Sequence, residues 1–343
     1  MDKSKNKNRD ESISFVRVVA MLMIIFTHLV REVDSIQFIA QITTVAVYVF
    51  IFISGFIFGK KEIHNPLNWI IKRLSRILIP MYVFMLFLFV MRFILFGEFS
   101  FSRILIYASN LQGLLGGVQG GAHLWFLTTI MFCYLITPLL YKIRSRVLQL
   151  TDINKILSFL LLVTLQIITS YIVSERIGMN IAYLNLYVFA YFISNIWDRS
   201  VTVKGVVLFT VLVIFCMVIR LGAKYYIDGT LIYNTIIVPL TQSAIGIYLF
   251  MTLDQFKSLA RNANMKKVVN HLDAISFEMF ITHYAFIIGP FYIMGLTNNI
   301  VIDSILVIIA TYISALLLNK ICNIIYETNM FSKIINTAKV VSS

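Results

Sequence analysis

Two basic side chains interrupt the first long apolar stretch of the sequence, SFVRVVAMLMIIFTHLVRE. Arg17 and His28 are eleven positions apart, which is about three helical turns and places them on one helix face, about 16 Å apart along the axis. An arginine at the inner edge of a membrane binds anions, and a deeper neutral imidazole takes a proton from a hydroxyl group. The alternative is structural: an arginine that snorkels to the surface and a histidine that hydrogen-bonds between helices.

A second basic cluster lies in IIKRLSRILIP, just before a later apolar stretch. Arg73 and Arg76 are three residues apart and share a helix face, and Lys72 lies beside them. Two guanidinium groups at the start of a helix suit phosphate groups, which they bind through paired hydrogen bonds. A basic segment at this position is also typical of an anchor against anionic lipid head groups, so both interpretations stay open.

Two further histidines lie in unusual surroundings. The stretch GLLGGVQGGAHLWFL has five glycines between Gly113 and Gly121 and runs directly into His123. It lacks the lysine and the hydroxyl residue of a nucleotide-binding loop, so it indicates a mobile flap over a groove or a plain flexible loop. His283 lies near the middle of the apolar stretch ISFEMFITHYAFI. Glu278 in the same stretch faces another side of the helix, and the sequence does not identify its partner.

These residues must be positioned by helices that cross a membrane. The chain has 343 residues, of which 59% are hydrophobic and 13% charged, and its mean hydropathy is +0.86. Soluble domains are about half apolar and a quarter charged, so the composition excludes a soluble protein. The apolar residues recur without strict alternation, which favours helices over a β-barrel. We predict an all-α polytopic bundle of about ten transmembrane helices. The predicted spans are 13–31, 39–59, 77–97, 124–141, 155–173, 180–197, 203–221, 231–252, 273–295 and 300–322.

The net charge of +13 would suggest a nucleic-acid partner in a soluble protein, but its distribution indicates a membrane topology. With the N-terminus inside, 22 lysines and arginines fall in the inner segments and six in or next to the outer ones. This positive-inside bias predicts that both termini are cytoplasmic. We expect a single domain over residues 1–343, with a basic N-terminal tail at 1–12 and a C-terminal tail at 323–343. The expected partners therefore include membrane lipids and no nucleic acid.

Taken in order, these features resemble the acyltransferase-3 family of integral membrane acyltransferases. The resemblance rests on Arg17 and His28 with ten residues between them, VFIFISGFIFGK in the second span, and the pair Arg73 and Arg76. HLWFL at the fourth span and ISFEMFITH near the end of the chain complete it. It covers most of the chain, although between the fourth and ninth spans only the hydropathy agrees. Many relatives carry an SGNH hydrolase-like domain, for which this chain is too short, so we expect the stand-alone branch.

The resemblance implies an O-acyltransferase of the EC 2.3.1 type in a cell membrane, that of a bacterium. Such an enzyme transfers an acyl group, usually acetyl, from cytoplasmic acyl-CoA to a hydroxyl group of a surface polysaccharide or a lipid-linked glycan. The family's arginine–histidine pair corresponds to Arg17 and His28, and its RxxR motif corresponds to Arg73 and Arg76. Arg17 would help to hold the anionic donor, while Arg73, Arg76 and the adjacent Lys72 would bind the phosphates of CoA.

The imidazoles then acquire roles in the reaction. His28 takes the proton of the acceptor hydroxyl as it attacks the thioester, or alternatively carries the acyl group as a transient acyl-histidine. His123 and His283 belong to the acceptor pocket or to the oxyanion side of the reacting carbonyl. Acyl-CoA is the donor, with acetyl and succinyl as the alternatives. The three cysteines lie in predicted spans without zinc-ligand spacing, so we expect no metal.

An exporter of a glycan or a lipid-linked sugar is the main alternative, because ten spans with polar residues at mid-depth are also typical of transporters. Against it, the sequence shows no internal repeat, and the predicted spans place every proline at or near a helix end. These prolines are Pro66, Pro80, Pro138, Pro239 and Pro290. A sensory or anchoring membrane domain is a third possibility, which would make the motif matches coincidental.

Overall fold

The structure, a computed structural model, describes residues 10–173, 181–197, 199, 202–256, 263–297 and 299–327. Most of the two predicted tails, residues 1–9 and 328–343, therefore lie outside the described residues. The α-helices in the described part are α1 (Glu11–Arg31), α2 (Phe38–Thr43), α3 (Val45–Gly59), α4 (Pro66–Phe96), α5 (Phe101–Ala108), α6 (Gln112–Leu115), α7 (Trp125–Leu148), α8 (Asp152–Val173), α9 (Ala182–Ile193), α10 (Val203–Ile227), α11 (Val238–Gln255), α12 (Ala263–Thr282), α13 (Tyr284–Ile287) and α14 (Ile300–Glu327). A 3₁₀ helix at Ala122–Leu124 precedes α7, and a π-helical turn at Tyr233–Ile237 precedes α11.

Eight segments of the described chain are long and apolar enough to cross a bilayer. They are Glu11–Arg31, Phe38–Gly59, Pro66–Phe96, Ala122–Leu148, Asp152–Thr169, Lys204–Ile227, Tyr233–Gln255 and Ile300–Glu327. The predicted all-α polytopic fold is confirmed. The sixth predicted span corresponds to α9, which has only 12 residues, and the ninth is divided between α12 and α13. The count of ten spans and the cytoplasmic location of the termini stay predictions.

The chain forms two compact units, each made of two parts of the sequence. The first unit contains Met1–Ser54 and Ile196–Phe277, and the second contains Gly55–Asn195 and Glu278–Ser343. In the first unit α1 packs against α2 and α11, and α10 packs against α11. In the second unit α4 packs against α7 and α14, and α7 also packs against α9.

A polar network holds the N-terminal end of α1 in the first unit. Ser12 Oγ donates a hydrogen bond of 2.6 Å to Asp254, whose side chain is buried near the end of α11. Arg199 pairs with Asp10 at 2.7 Å and with Asp254 at 3.1 Å. Burial raises the pKa of the Asp10 carboxyl, but the Ser12 hydroxyl and the Arg199 guanidinium outweigh it and lower that pKa below its ordinary value. The network therefore anchors the helix that carries Arg17.

Two glycines bring α3 close to α9 in the second unit. A Cβ atom at Gly55 would clash with the carbonyl oxygen of Tyr187, and one at Gly59 would clash with that of Tyr191. Small residues four positions apart allow this close approach between helices in membranes. The contact positions the C-terminal end of α3, on which Arg73 stacks.

The expectation that all prolines lie at or near helix ends is wrong for Pro80 and Pro138. Pro80 lies inside α4 and Pro138 inside α7. The span predicted from hydropathy, 77–97, covers only the apolar part of this helix. The helix itself begins eleven residues earlier, at Pro66, where the Asn65 side chain caps it, so Pro80 lies in its interior. The positions of the prolines therefore do not argue against an exporter, and Arg73 lies within α4 instead of before it.

Candidate active site

The first predicted pair lies on one continuous helix of the first unit. Arg17 and His28 both belong to α1, so their spacing corresponds to about 16 Å along one face. The Arg17 Nη2 atom donates to the Asp273 carboxylate at 2.8 Å, and its Nε is buried without a hydrogen-bond partner among the described residues. His28 lies in the last turn of α1 and is partly buried.

Asp273 is a residue that the sequence analysis missed. Its side chain on α12 is fully buried, and it pairs with Arg17 across 256 positions of sequence. A buried carboxylate requires a cation or strong hydrogen bonds. Asp273 is the first residue of the predicted span 273–295, and this position in the sequence already indicated that it needs a cationic partner. The ion pair orients the guanidinium, which has five N–H groups and so retains donors for a ligand.

In the second unit, the guanidinium of Arg73 lies over two aromatic rings. Its Cζ atom is 4.8 Å from the ring centroid of Phe58 and 5.7 Å from that of Trp69. These rings and that of Tyr134 pack edge to face on one another. Stacking of this kind orients an arginine without neutralising it. The Nε atom of Arg73 is buried and has no hydrogen-bond partner in the described part of the chain.

Further cations join Arg73 in a group that we call the basic cluster: Lys60, Lys61, Lys72, Arg73, Arg76 and Arg144. Arg144 on α7 donates to the carbonyl oxygens of Gly59 at 2.9 Å and Lys61 at 3.3 Å. Lys72 and Arg76 are exposed. No member pairs with a carboxylate of the residues that the structure describes. In the sequence Arg144 is only one of the basic residues that indicate topology, and its contact with the end of α3 depends on the tertiary fold.

His123 and His283 are brought together, as two imidazole rings with centroids 4.8 Å apart. Both side chains are buried. The Nε2 atom of His123 lies 2.9 Å from the carbonyl oxygen of Phe280, and Nδ1 of His283 lies 2.7 Å from the same oxygen. Because a carbonyl oxygen only accepts, these two nitrogens carry the protons. In the neutral rings the lone pairs are therefore on Nδ1 of His123 and on Nε2 of His283.

The local fold explains why this pair forms. His283 lies at the junction between α12, which ends at Thr282, and α13, which begins at Tyr284. The last carbonyl groups of a helix lack partners within the helix, and here the imidazole N–H groups satisfy one of them. The imidazoles thus have a structural role at this junction, and the same bonds orient the nitrogens that carry the lone pairs.

The glycine-rich segment before His123 packs against its neighbours. The hydroxyl of Tyr107 accepts from the Val118 amide at 3.0 Å and donates to the Gly121 carbonyl oxygen at 2.9 Å. Burial raises the pKa of Tyr107 to about 12, so the phenol keeps the proton that it donates. Gln112 donates to the carbonyl oxygen of Leu124 at 2.8 Å. These bonds connect the glycine-rich segment to α5 and to the turn before α7, while a mobile flap and a plain flexible loop both stay predictions.

Glu278 finds its partner on another helix. Its carboxylate accepts a hydrogen bond of 3.2 Å from the Asn319 side chain on α14, and Asn319 accepts one of 2.9 Å from Asn323. In the described part of the chain, no three His, Cys, Asp or Glu side chains group closely enough to hold a metal ion. The acidic residues near the predicted sites thus serve ion pairs and hydrogen bonds.

Long apolar helices, together with two buried histidine side chains, are typical of an integral membrane protein. The model of the acyltransferase-3 family, described as an acyltransferase domain, matches residues 10–319, which is nearly the whole chain. The chain therefore belongs to this family and is a membrane acyltransferase, as the resemblance implied. No curated protein and no solved structure matches the chain. Family membership favours the enzyme over the exporter and the sensory domain.

Proposed function

We propose that the protein transfers an acyl group, acetyl in the first instance, from cytoplasmic acyl-CoA to a hydroxyl group of a cell-surface polysaccharide or a lipid-linked glycan. The family match over residues 10–319 carries the proposal, because it supplies the reaction class. The chemistry of the side chains in each unit supports the choice of donor and acceptor. The cell membrane of a bacterium is the proposed location.

The basic cluster supports CoA as the carrier of the acyl group. CoA presents phosphate groups at one end and the thioester at the other, so its site needs cations that no protein carboxylate has neutralised. The guanidinium groups of Arg73 and Arg144 are oriented by aromatic rings and backbone carbonyl oxygens. Paired hydrogen bonds from such groups match the geometry of phosphate.

The proposed reaction is a direct transfer. The acceptor hydroxyl attacks the thioester carbonyl, the C–O bond forms, and the neutral imidazole of His28 takes the hydroxyl proton. The tetrahedral intermediate then expels the CoA thiolate, which takes the proton from the imidazolium. Arg17 holds the anionic donor in position. His123 and His283 accept hydrogen bonds from hydroxyl groups of the acceptor through the nitrogens that carry their lone pairs. The oxyanion role is excluded for the neutral rings, because their N–H groups already donate to the carbonyl oxygen of Phe280. A transient acyl-histidine at His28 is the alternative route.

The first test is acyl transfer in proteoliposomes that contain purified protein, radiolabelled acetyl-CoA and glycan. We expect labelled glycan from the wild type and at least a ~100-fold lower rate from His28→Ala, since general base catalysis contributes about that factor. His64→Ala is the matched control, because His64 is an exposed histidine. A wild-type rate in His28→Ala would remove both routes, and a protein that never consumes acetyl-CoA or succinyl-CoA would remove the proposed function.

The second test separates donor binding from lipid anchoring. Arg73→Gln and Arg76→Gln should each raise the KM for acyl-CoA about tenfold or more, because each removes a charge-assisted hydrogen bond to phosphate. The KM for the glycan should change little. Arg146→Gln, an exposed arginine outside the basic cluster, is the control. An unchanged dependence on acyl-CoA would return the RxxR motif to the role of a lipid anchor.

A further inference from the structure

A cleft lies in the second unit at the end of α4 opposite to the basic cluster. Its volume is about 530 Å³, within the range of small-molecule sites. The side chains that line it include Phe89, Arg92, Glu98, Phe99, Arg103 and Val118. Arg73 and Arg92 are 19 residues apart on α4, which corresponds to about 28 Å along its axis. A ligand in this cleft therefore lies on the side of the unit away from the proposed phosphate site.

Two arginines enter the cleft with unequal partners. Arg92 pairs with Glu98 and also donates to the carbonyl oxygen of Gln119 at 3.1 Å. Arg103 donates through Nη1 to the carbonyl oxygen of Gly116 at 3.2 Å, and no carboxylate of the described residues pairs with it. Because a guanidinium group has five N–H donors, Arg103 retains both its charge and donors for a ligand. The three charged groups leave the cleft with a net positive charge.

The remaining lining suits a sugar ring. Phe99 is 69% exposed, although it lies in a cleft, and so offers an open apolar face to a ligand. Glu98 is 53% exposed and has oxygen atoms that can accept hydrogen bonds from sugar hydroxyl groups. The lining thus combines charged and polar groups with exposed aromatic surface, which matches a saccharide that presents hydroxyl groups and an apolar ring face.

The cleft is connected to His123 through the chain itself. Val118, which lines the cleft, is five residues before His123, so the two are within about 17 Å of one another. The Tyr107 hydroxyl bonds to the backbone of Val118 and of Gly121, which holds this short connection in place. A saccharide in the cleft would therefore lie close to the predicted acceptor pocket.

We propose that this cleft binds the acceptor through an acidic group of the saccharide, a uronate carboxylate or a phosphate, with Arg103 as the anion-binding residue and Phe99 as the surface for the sugar ring. The inference rests on the proposed function, since it assigns the bound saccharide the role of acyl acceptor. An acidic saccharide would gain a charge-assisted hydrogen bond to Arg103 that a neutral glycan cannot form, so the cleft favours an acidic one.

The test measures binding of three probes to purified protein in nanodiscs of neutral lipid: a tetragalacturonate, a neutral galactan tetramer and galactose 1-phosphate. The wild type should bind the galacturonate about tenfold more tightly than the galactan, and added salt should reduce this preference. The galactose 1-phosphate shows whether the preferred anion is a phosphate. Arg103→Gln should abolish the preference, and Arg146→Gln should preserve it.

A pair of matched variants tests the sugar-ring surface without disturbing the fold. Phe99→Ala should weaken the binding of both tetramers about threefold. Phe101→Ala, at a similarly exposed phenylalanine of the same segment that does not line the cleft, should leave both unchanged. Equal binding of charged and neutral tetramers, or an undiminished preference in Arg103→Gln, would overturn the inference.

Two further outcomes have a separate meaning. One distinguishes a saccharide site from a lipid site, and the other separates saccharide binding from acyl transfer. If nanodiscs with anionic lipid abolish galacturonate binding while neutral nanodiscs retain it, the cleft is a lipid head-group site and the inference is wrong. Binding requires no acyl-CoA, so its result is independent of the transfer assay. A protein that binds the acidic probe with the predicted preference but transfers no acyl group to any glycan would retain the saccharide site and lose the proposed function.

Discussion

Replacing Arg199 with glutamine tests how the first unit holds the helix that carries Arg17. The change removes one guanidinium from two carboxylates, those of Asp10 and Asp254. The Ser12 hydroxyl lies within hydrogen-bond distance of both carboxylates, but its single hydrogen can be donated to only one of them, and it brings no charge. We expect Arg199→Gln to destabilise the first unit because a buried carboxylate loses its cation.

The magnitude follows from the exposure of the partners. Removing one partner of a buried ion pair costs about 3–5 kcal/mol, whereas an exposed pair contributes at most about 1 kcal/mol. The Asp254 side chain is 2% exposed and that of Asp10 is 38% exposed, so most of the loss comes from Asp254. Since Arg199 itself is 24% exposed, we expect a loss of about 3 kcal/mol in the free energy of unfolding.

The backbone of Arg199 provides a second, independent variant. Its φ is 70°, in the left-handed region, which costs a residue with a Cβ atom about 1 kcal/mol. Arg199→Gly removes the same ion pairs and relieves this strain, so it should be about 1 kcal/mol less destabilising than Arg199→Gln. If Arg199→Gly lowers the free energy of unfolding as much as Arg199→Gln does, the left-handed φ of Arg199 does not destabilise the fold.

The assay is SDS titration of the protein in mixed micelles, followed by tryptophan fluorescence. Asp254→Asn combined with Arg199→Gln should recover about 1–2 kcal/mol, because it removes the unpaired charge. The pKa of Asp10 is lowered in the fold, so its contribution is present above its unfolded pKa of about 3.9 and is lost as the pH falls through its lower folded value. The difference between wild type and Arg199→Gln should therefore narrow below about pH 4.

The reasoning is refuted if Arg199→Gln unfolds within about 0.5 kcal/mol of the wild type, as we expect for the exposed control Arg146→Gln. It is also refuted if Asp254→Asn destabilises the protein further in the Arg199→Gln background. In that case the amide would be a poorer partner than the unpaired carboxylate, and the network would be held by hydrogen bonds to Ser12 alone.

Further predictions concern packing in the second unit. Gly55→Ala should lower the free energy of unfolding by about 1–3 kcal/mol, because the new methyl group meets the α9 backbone. In the control Gly222→Ala, in α10 of the first unit, the methyl group meets no atom within 4 Å, so the change should be neutral or slightly stabilising. Thermal unfolding measures both variants, and equal melting temperatures would contradict the prediction. Tyr107→Phe should cost about 1–3 kcal/mol, since the buried Gly121 carbonyl and the partly buried Val118 amide lose their partner. The loss should exceed that of Tyr82→Phe, whose half-exposed hydroxyl makes one hydrogen bond. Comparable losses of stability in thermal unfolding would contradict this prediction. In His123→Gln, the new side-chain amide can donate to the same carbonyl oxygen as Nε2 of His123 does. This variant should therefore be about 1 kcal/mol more stable than His123→Phe in the same measurement. The reverse order would contradict the proton on Nε2.

Hydropathy and local spacing correctly predicted the fold class and the placement of Arg17 and His28 on one helix. The first span was predicted at 13–31, and α1 covers Glu11–Arg31 with Arg17 and His28 on it. Both follow from helical periodicity, which is a local property of the chain. The two glycines of SGFIFGK were also readable as a signal for close helix packing, although the sequence analysis did not use them.

The partners of the charged residues could not be predicted in this way. Arg17 meets Asp273, and Arg144 reaches the end of α3, because the tertiary fold brings distant helices together. No local pattern encodes such a meeting, even where the need for a partner is evident from a charge in an apolar span. The start of α4 was also predicted too late in the sequence, because hydropathy does not detect the polar turns with which this helix begins.

The proline inside α4 makes a point at which this helix bends more easily. Pro80 has no amide hydrogen to donate to the carbonyl oxygen of Arg76 four residues earlier, so the ladder of backbone bonds is interrupted just after the RxxR motif. Bending at this point costs less than elsewhere in the helix. The turn that carries Arg73 can therefore change its tilt while the far end of α4, near Arg92, keeps its orientation. Under the proposed function, binding of acyl-CoA at one end of α4 would then leave the proposed acceptor cleft at the other end unchanged.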